Sequence, residues 1–337
     1  MTTLALDIGG ANLKAAHSDG RCVARSFALW KHPEALAEQL RAMASDWPVC
    51  QRVAITMTAE LCDCFATKRQ GVEHVLDAVW QAFPHSGIGV WSTEGRFVHP
   101  DEARQRVLRV AAANWHALAT WLAPQFPVGL SLLIDTGSTT TDILRLDMGQ
   151  LHAAGWTDTQ RLVSGELVYV GVRRTPLMAL GPTIEFHGYE YGLMSEYFAS
   201  TADVFLLTGQ LEENAEDRDT ADGRPFTRPF AMARLLRMIG ADIDMISPDD
   251  AMLLAQAMAA RARDRVTSGL TRVLGDERPR RIILSGSGAF LAQAAVEEAL
   301  PKADVIKLSD RIGAAASQAA CAHALLHLAD ESAASRP

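Results

Sequence analysis

Short apolar runs alternate with glycine-marked turns along the chain, and one order of elements occurs twice. Residues 3–7 read as a buried strand, Gly9-Gly10 as a turn and residues 12–17 as the returning strand. Asp19-Gly20 predicts a second hairpin into residues 22–29, so three antiparallel strands open the chain. Pro33 starts an amphipathic helix running to about Ser45, with Leu36, Leu40 and Met43 on one face. A strand at 52–58, a helix at 71–83, a strand at 87–91 and one long alanine-rich helix over 101–122 follow.

The pattern then begins again. Residues 130–135 form an apolar strand, Gly137-Ser138-Thr139-Thr140 a turn, and residues 141–146 the returning strand, with a further turn at Met148-Gly149. Two strand–Asp–Gly-turn–strand units point to an internal duplication, with one lobe over 1–128 and a second over 129–337. Residues 181–230, including an acidic stretch at 212–222, read as an insertion carrying surface loops. A long helix at 248–274 leads to a strand at 281–284, the turn Ser285-Gly286-Ser287-Gly288, a helix at 289–300 and a strand at 303–307. A closing helix at 312–329 is expected to pack back between the lobes, with a frayed tail after Asp330.

Composition narrows the function. The 337 residues are 48% hydrophobic and 21% charged, as in an ordinary globular protein. A net charge of −8 repels a phosphate backbone and an anionic bilayer, so neither nucleic acid nor membrane is expected as a partner. The N-terminus has no basic region ahead of its first strand, and no apolar run is long enough to span a bilayer; a cytoplasmic protein is expected. Five scattered cysteines read as reduced thiols. The ten histidines give no zinc-type pair: His116, His187, His323 and His327 read as core or surface residues, and the last two lack a third ligand.

Three glycine turns carry the chemistry. In Leu6-Asp7-Ile8-Gly9-Gly10-Ala11-Asn12-Leu13-Lys14, the glycines let backbone N–H groups approach phosphate oxygens, and an Asp at the strand end suits hydrated Mg²⁺. Ile134-Asp135-Thr136-Gly137-Ser138-Thr139-Thr140-Thr141-Asp142 has the same grammar, with hydroxyls as extra donors. Neither is a Walker A loop, and neither turn enters a helix as a dinucleotide fingerprint does. The third turn, around Gly286 and Gly288, opens a helix and so favours an anion or a ligand lying flat on backbone.

Together these turns resemble the sugar-kinase/heat-shock-chaperone/actin superfamily over nearly the whole chain. That resemblance implies an α/β, two-lobed actin-like ATPase (ribonuclease H-like) fold with duplicated mixed β-sheets flanked by helices. More narrowly, Gly165-Glu-Leu-Val-Tyr-Val-Gly-Val-Arg-Arg-Thr-Pro-Leu177 resembles the hydantoinase A/oxoprolinase family. The stretches Met57–Asp63, Ala113-Asn114-Trp115, Glu196–Val204 and Thr220–Pro225 are similar to its tetrahydromethanopterin-linked one-carbon branch. That branch includes methanofuran-biosynthesis proteins, which join an aminomethylfuran-methyl diphosphate to a γ-glutamyl-tyramine phenol.

For such a reaction the barrier lies mainly in stabilising departing diphosphate. The resemblance implies that Asp7 and Asp135 position Mg²⁺, and that Gly9, Gly10, Asn12, Gly137, Ser138, Thr139, Gly286 and Gly288 cradle phosphate, with Lys14 as a neutralising cation. ATP is compatible with the turns but not required. A carboxylate must take the phenolic proton: Glu60, Glu196, Asp63 and Asp142 are candidates. Arg173 and Arg174 suit an acidic acceptor tail, and Asn114 a cleft wall; Lys68 and Arg69 read as a solvated turn. An ATP-dependent small-molecule kinase or carbonyl-activating enzyme, and a nucleotide-responsive regulator or filament module, remain as other readings. A homodimer is open to the alanine-rich helices.

Overall fold

The computed structural model describes residues 2–334. Two mixed sheets are built on the same plan, each around a glycine-turn hairpin. In the first, β1 (Thr3–Ile8), β2 (Asn12–His17), β3 (Cys22–Ser26), β4 (Arg52–Met57), β5 (Gly87–Ser92) and β6 (Arg96–Val98) lie in the order β3-β2-β1-β4-β5-β6. β1 is antiparallel to β2 and parallel to β4; its residues are buried throughout, which is why its sequence is an unbroken apolar run around one Asp. In the second, β7 (Leu130–Thr136) pairs antiparallel with β8 (Thr141–Asp147), which also takes β9 (Gln150–His152) and β10 (Leu167–Val168). β11 (Thr183–Phe186) and β12 (Tyr189–Gly192) form a separate hairpin, while β13 (Arg281–Ser285) and β14 (Val305–Lys307) extend the second sheet in parallel from β7.

The duplication is therefore a matter of topology and register. Asp7 faces Lys14 across β1–β2, and Asp135 faces Asp142 across β7–β8. Both turns close by the same backbone bond, Gly9 N–H to Asn12 O at 3.0 Å and Gly137 N–H to Thr140 O at 2.8 Å.

Two helices fill the space between the sheets. Helix Ala320–Ala334 packs Ala322 and Leu325 with Ala5, Ala16 and Ala54 of the first sheet, and Cys321 and Ala324 with Leu133, Leu144 and Ile283 of the second. Helix Asn114–Leu122 is shared in the same way, through Ala117 on one side and Trp115 and Leu118 on the other. Small residues on these helices allow close approach, so the alanine-rich stretches pack within the chain.

Three expected elements differ. The long helix over 101–122 is broken into Pro100–Gln105, Val107–Val110 and Asn114–Leu122. Ala112 adopts φ +48, and Ala111 bridges to Met57 at the end of β4, so tertiary pairing overrides alanine's helix propensity. The closing helix expected over 312–329 is likewise broken, into Ala314–Gln318 and Ala320–Ala334, with a separate short helix, Leu308–Ile312, ending at Gly313 (φ +84) just ahead of it. The tail expected to fray is helical as far as Ala334, and residues 335–337 lie outside the described residues. Finally, the 181–230 stretch is not all surface loop. Ile184, Phe186, Val204, Phe205 and Phe226 are buried with Leu254 and Leu270 of helix Pro248–Leu274 in the core of the second lobe.

Candidate functional site

The two glycine turns meet at one cavity of about 380 Å³ between the lobes. Asp7, Gly9, Gly10, Asn12 and Lys14 line it from the first lobe, and Asp135, Gly137, Ser138, Thr139 and Asp142 from the second. Asn12 Nδ2 donates to Ser138 Oγ at 3.1 Å, joining one turn to the other. Further cross-lobe contacts stand near this cavity: Lys68 with Asp158 at 2.7 Å, and the Arg174 guanidinium 3.8 Å from the Trp30 ring centroid.

At the floor, Asp7 and Asp135 each carry a buried Oδ1 with no hydrogen-bond partner among the described residues. Burial pushes the Asp7 carboxyl up; Lys14, with Nζ 3.8 Å away, pulls it down, and Asp135 pushes it up again. Burial works against the Lys14 charge, but Asp7, Cys321, Asp135 and Asp142 outweigh it and hold Lys14 above the usual lysine value. Two orphaned carboxylate oxygens fit a hydrated divalent cation. No group of three acidic, His or Cys side chains converges among the described residues, so such an ion would keep most of its water, as Mg²⁺ does.

Glu60 is also in this wall, on the short turn Ala59–Leu61. Its side chain is fully buried, and neither oxygen has a well-formed hydrogen bond among the described residues. Burial pushes its carboxyl up to about 7, against the pull of Lys68, its own amide and that of Ala112. Gly71 makes this placement feasible: a Cβ there would stand 2.3 Å from Glu60 O.

Asp142 is committed differently. Arg161 Nη2 donates to its Oδ1 at 2.7 Å, and the Arg161 guanidinium lies 4.0 Å from the Trp115 ring centroid. Burial pushes Asp142 up to about 6, with Arg161 opposing. Asn114 heads its helix at the cavity wall, where the free amides of a helix start favour an anion.

Other expected site residues lie elsewhere. Gly286 and Gly288 do not line the cavity; they press on the strand end behind it. A Cβ at Gly286 would stand 2.2 Å from Thr136 O, and one at Gly288 would stand 2.4 Å from Thr136 Cγ2. Glu196 is exposed and outside the cavity. Arg173 turns away to Asp217, at 2.5 Å, whereas Arg174 lines the cavity. Lys68, expected as solvated, is an ion-pair partner of both Glu60 and Asp158. Trp30, Asp158 and Arg161 line the cavity without having been singled out, each a lone residue whose neighbours arise only through folding; Leu61 and Tyr169 line it from within the quoted family stretches.

Comparison with known proteins gives the family and the fold. The hydantoinase/oxoprolinase family model matches residues 51–327. The chain belongs to the hydantoinase/oxoprolinase family. A relative from Methanocaldococcus jannaschii, the (4-{4-[2-(gamma-L-glutamylamino)ethyl]phenoxymethyl}furan-2-yl)methanamine synthase, is 34% identical over 298 residues, 88% of either chain. Among solved structures, a nucleotide-free acetone carboxylase aligns with a TM-score of 0.52 at 10% identity, over 96% of this chain and 69% of that one. A ROK family glucokinase from Streptomyces griseus in complex with glucose and AMPPNP aligns at 0.50 and 15% identity, over 98% and 100%. These two share the fold, an actin-like two-lobed α/β architecture.

In this family member the 165–177 motif acts as a brace for the second turn. The amides of Val172 and Arg173 donate to Gly137 O and Ser138 O at 3.1 and 3.0 Å, and that of Arg174 to Ser138 O at 2.9 Å. Gly171 sits so close that a Cβ would be 2.4 Å from Thr139 N. The motifs at 196–204 and 220–225 meet at a buried ion pair: Arg234 bonds Asp203 at 2.7 Å and Asp222 at 3.0 Å. Their shared work is structural, since none of these three lines the cavity.

Proposed function

We propose that the protein is a transferase of methanofuran-type cofactor biosynthesis. It joins an aminomethylfuran-methyl diphosphate to the phenol of a γ-glutamyl-tyramine- or tyrosine-type acceptor and releases diphosphate. The relative's printed name describes a product with this phenoxymethylfuran linkage, over 88% of both chains. The observation that carries the reading is that two glycine turns face one cavity, each with a buried, unpartnered carboxylate oxygen beside it.

In this reading the C–O bond to diphosphate breaks, the phenol oxygen bonds the furfuryl carbon, and the phenolic proton passes to a carboxylate. Backbone amides of Gly9, Gly10 and Gly137, with Asn12, Ser138 and Thr139, hold the diphosphate; Lys14 offsets its charge. Asp7 and Asp135 would hold Mg²⁺, which supplies charge neutralisation of the leaving group when bound. Glu60 takes the proton. A carboxyl near 7 is the best matched of the candidates, because Asp142 is tied to Arg161, and Asp63 and Glu196 are exposed. Arg174 binds the acceptor's acidic tail; its guanidinium is stacked on Trp30, and no carboxylate pairs with it among the described residues.

The test is direct. Purified protein, Mg²⁺, the furfuryl diphosphate and a tyramine acceptor are incubated with and without ATP, and the products read by mass spectrometry. The ether product should appear with one diphosphate per turnover; acceptor phosphorylation instead would support a kinase.

A further inference from the structure

Glu60 is fully buried with no well-formed hydrogen bond among the described residues, a state that drives a carboxylate towards neutrality unless a cation faces it. The facing cation is Lys68, the first residue of helix Lys68–Ala82, with Nζ 3.9 Å from Glu60 Oε1. Lys68 is not given over to Glu60. The same Nζ stands 2.7 Å from Asp158 Oδ2, on helix Asp158–Ser164 of the opposite lobe. Coulomb energy falls with distance, so the shorter contact takes the larger share of that charge. Cys62 on the same turn and Tyr169 after β10 also face Glu60; burial pushes both above their ordinary values, and both stay uncharged near neutrality. Asp63, next along the chain, is exposed, and the Ala112 amide adds a dipole. The balance at Glu60 thus rests on a three-residue relay that crosses the lobe boundary.

We propose that Lys68 and Asp158 are positioning residues that set the charge of Glu60: Asp158 draws the Lys68 ammonium away and leaves Glu60 able to take up a proton. The proton acceptor then depends on the two lobes meeting over the cavity, because each lobe supplies half of the ion pair. This rests on the reading of Glu60 as the acceptor of the phenolic proton, yet the charge coupling can be measured apart from that reading.

Asp158→Asn and Lys68→Met push in opposite directions. The first frees Lys68 for Glu60 and removes a nearby negative charge, so the Glu60 midpoint falls. The second removes the stabilising cation, so the midpoint rises. Protein labelled with ¹³C at glutamate side-chain carboxyls is titrated by NMR, and the Glu60 resonance is identified by its loss in Glu60→Gln. The expected shifts are about one pH unit down in Asp158→Asn and about one unit up in Lys68→Met. Lys68→Arg should stay near wild type. The acid limb of the pH–rate profile should move with the NMR midpoint. An unmoved midpoint in either substitution, or shifts of the same sign, would overturn the proposal. Full activity in Glu60→Gln would instead remove Glu60 as the acceptor, while the titration still decides the coupling.

Discussion

Asn12 Nδ2 donates to Ser138 Oγ at 3.1 Å, so the two glycine turns are joined side chain to side chain across the interlobe cleft. These turns belong to different sheets and different halves of the chain, and a ligand gripping both must keep them in register. A single part-buried hydrogen bond contributes roughly 0.5–1.5 kcal/mol. Asn12→Ala should therefore weaken pyrophosphate binding, read by calorimetry with Mg²⁺ present, by about 2- to 10-fold. Ser138→Ala should lose at least as much, and the double variant less than the sum of the two, because the bond between them is lost once.

The second turn depends on a brace at zero clearance. Gly171→Ala places a methyl 2.4 Å from Thr139 N and 2.5 Å from Ser138 C, against backbone that has nowhere to retreat. We expect turnover to be lost and the thermal midpoint to fall, by an overpacking cost of about 1–3 kcal/mol. Gly192→Ala, whose Cβ would meet nothing within 4 Å, should leave both unchanged.

Glu60 gives a stability signature with a definite sign. Its carboxyl is raised from 4.5 in an ordinary setting to about 7 in the fold, so the native state holds the proton more tightly. The stability this brings is full below 4.5 and is lost as pH rises through about 7. Gln stays neutral throughout. The thermal stability of Glu60→Gln relative to wild type should accordingly rise between pH 5 and pH 8, by on the order of 3 kcal/mol. A constant difference across that range would show that burial does not hold the proton.

The neighbouring arginines should behave unequally. Arg174→Ala should raise KM for an acceptor bearing a free carboxylate by about 10-fold or more, since a charged hydrogen bond is worth about 1.5–3 kcal/mol. It should leave KM for plain tyramine nearly unchanged. Arg173→Ala should affect neither, because its guanidinium is engaged by Asp217 and lies over the Phe226 ring at 4.8 Å.

Much of the fold was legible because its signals are local. Apolar strands ending in Asp and Gly mark both hairpins at Asp7-Ile8-Gly9 and Asp135-Thr136-Gly137, and the register puts both Asp residues on one cavity. What stayed hidden is set by tertiary contacts. Nothing in the alanine run at 111–113 announces that Ala112 turns to φ +48 and frees Asn114 to head a helix. Nothing separates Arg173 from Arg174 until Asp217 claims the first and Trp30 stacks on the second. Gly286 and Gly288 were legible as glycines that permit close approach, but that the group approaching them is Thr136 follows only from the fold. Lys68 reads as a solvated cation because its partner, Asp158, is far along the chain.

The central claim is that the two turns clamp a leaving diphosphate rather than a nucleotide to be cleaved. The most direct measurement is pyrophosphate release from the furfuryl diphosphate and tyramine acceptor, with Mg²⁺, in the presence and absence of ATP. Release should proceed at the same rate without ATP, yield no ADP when ATP is added, and vanish in Asp7→Ala and Asp135→Ala. Release that needs ATP and forms ADP in step with product, or that survives loss of either Asp, would contradict it.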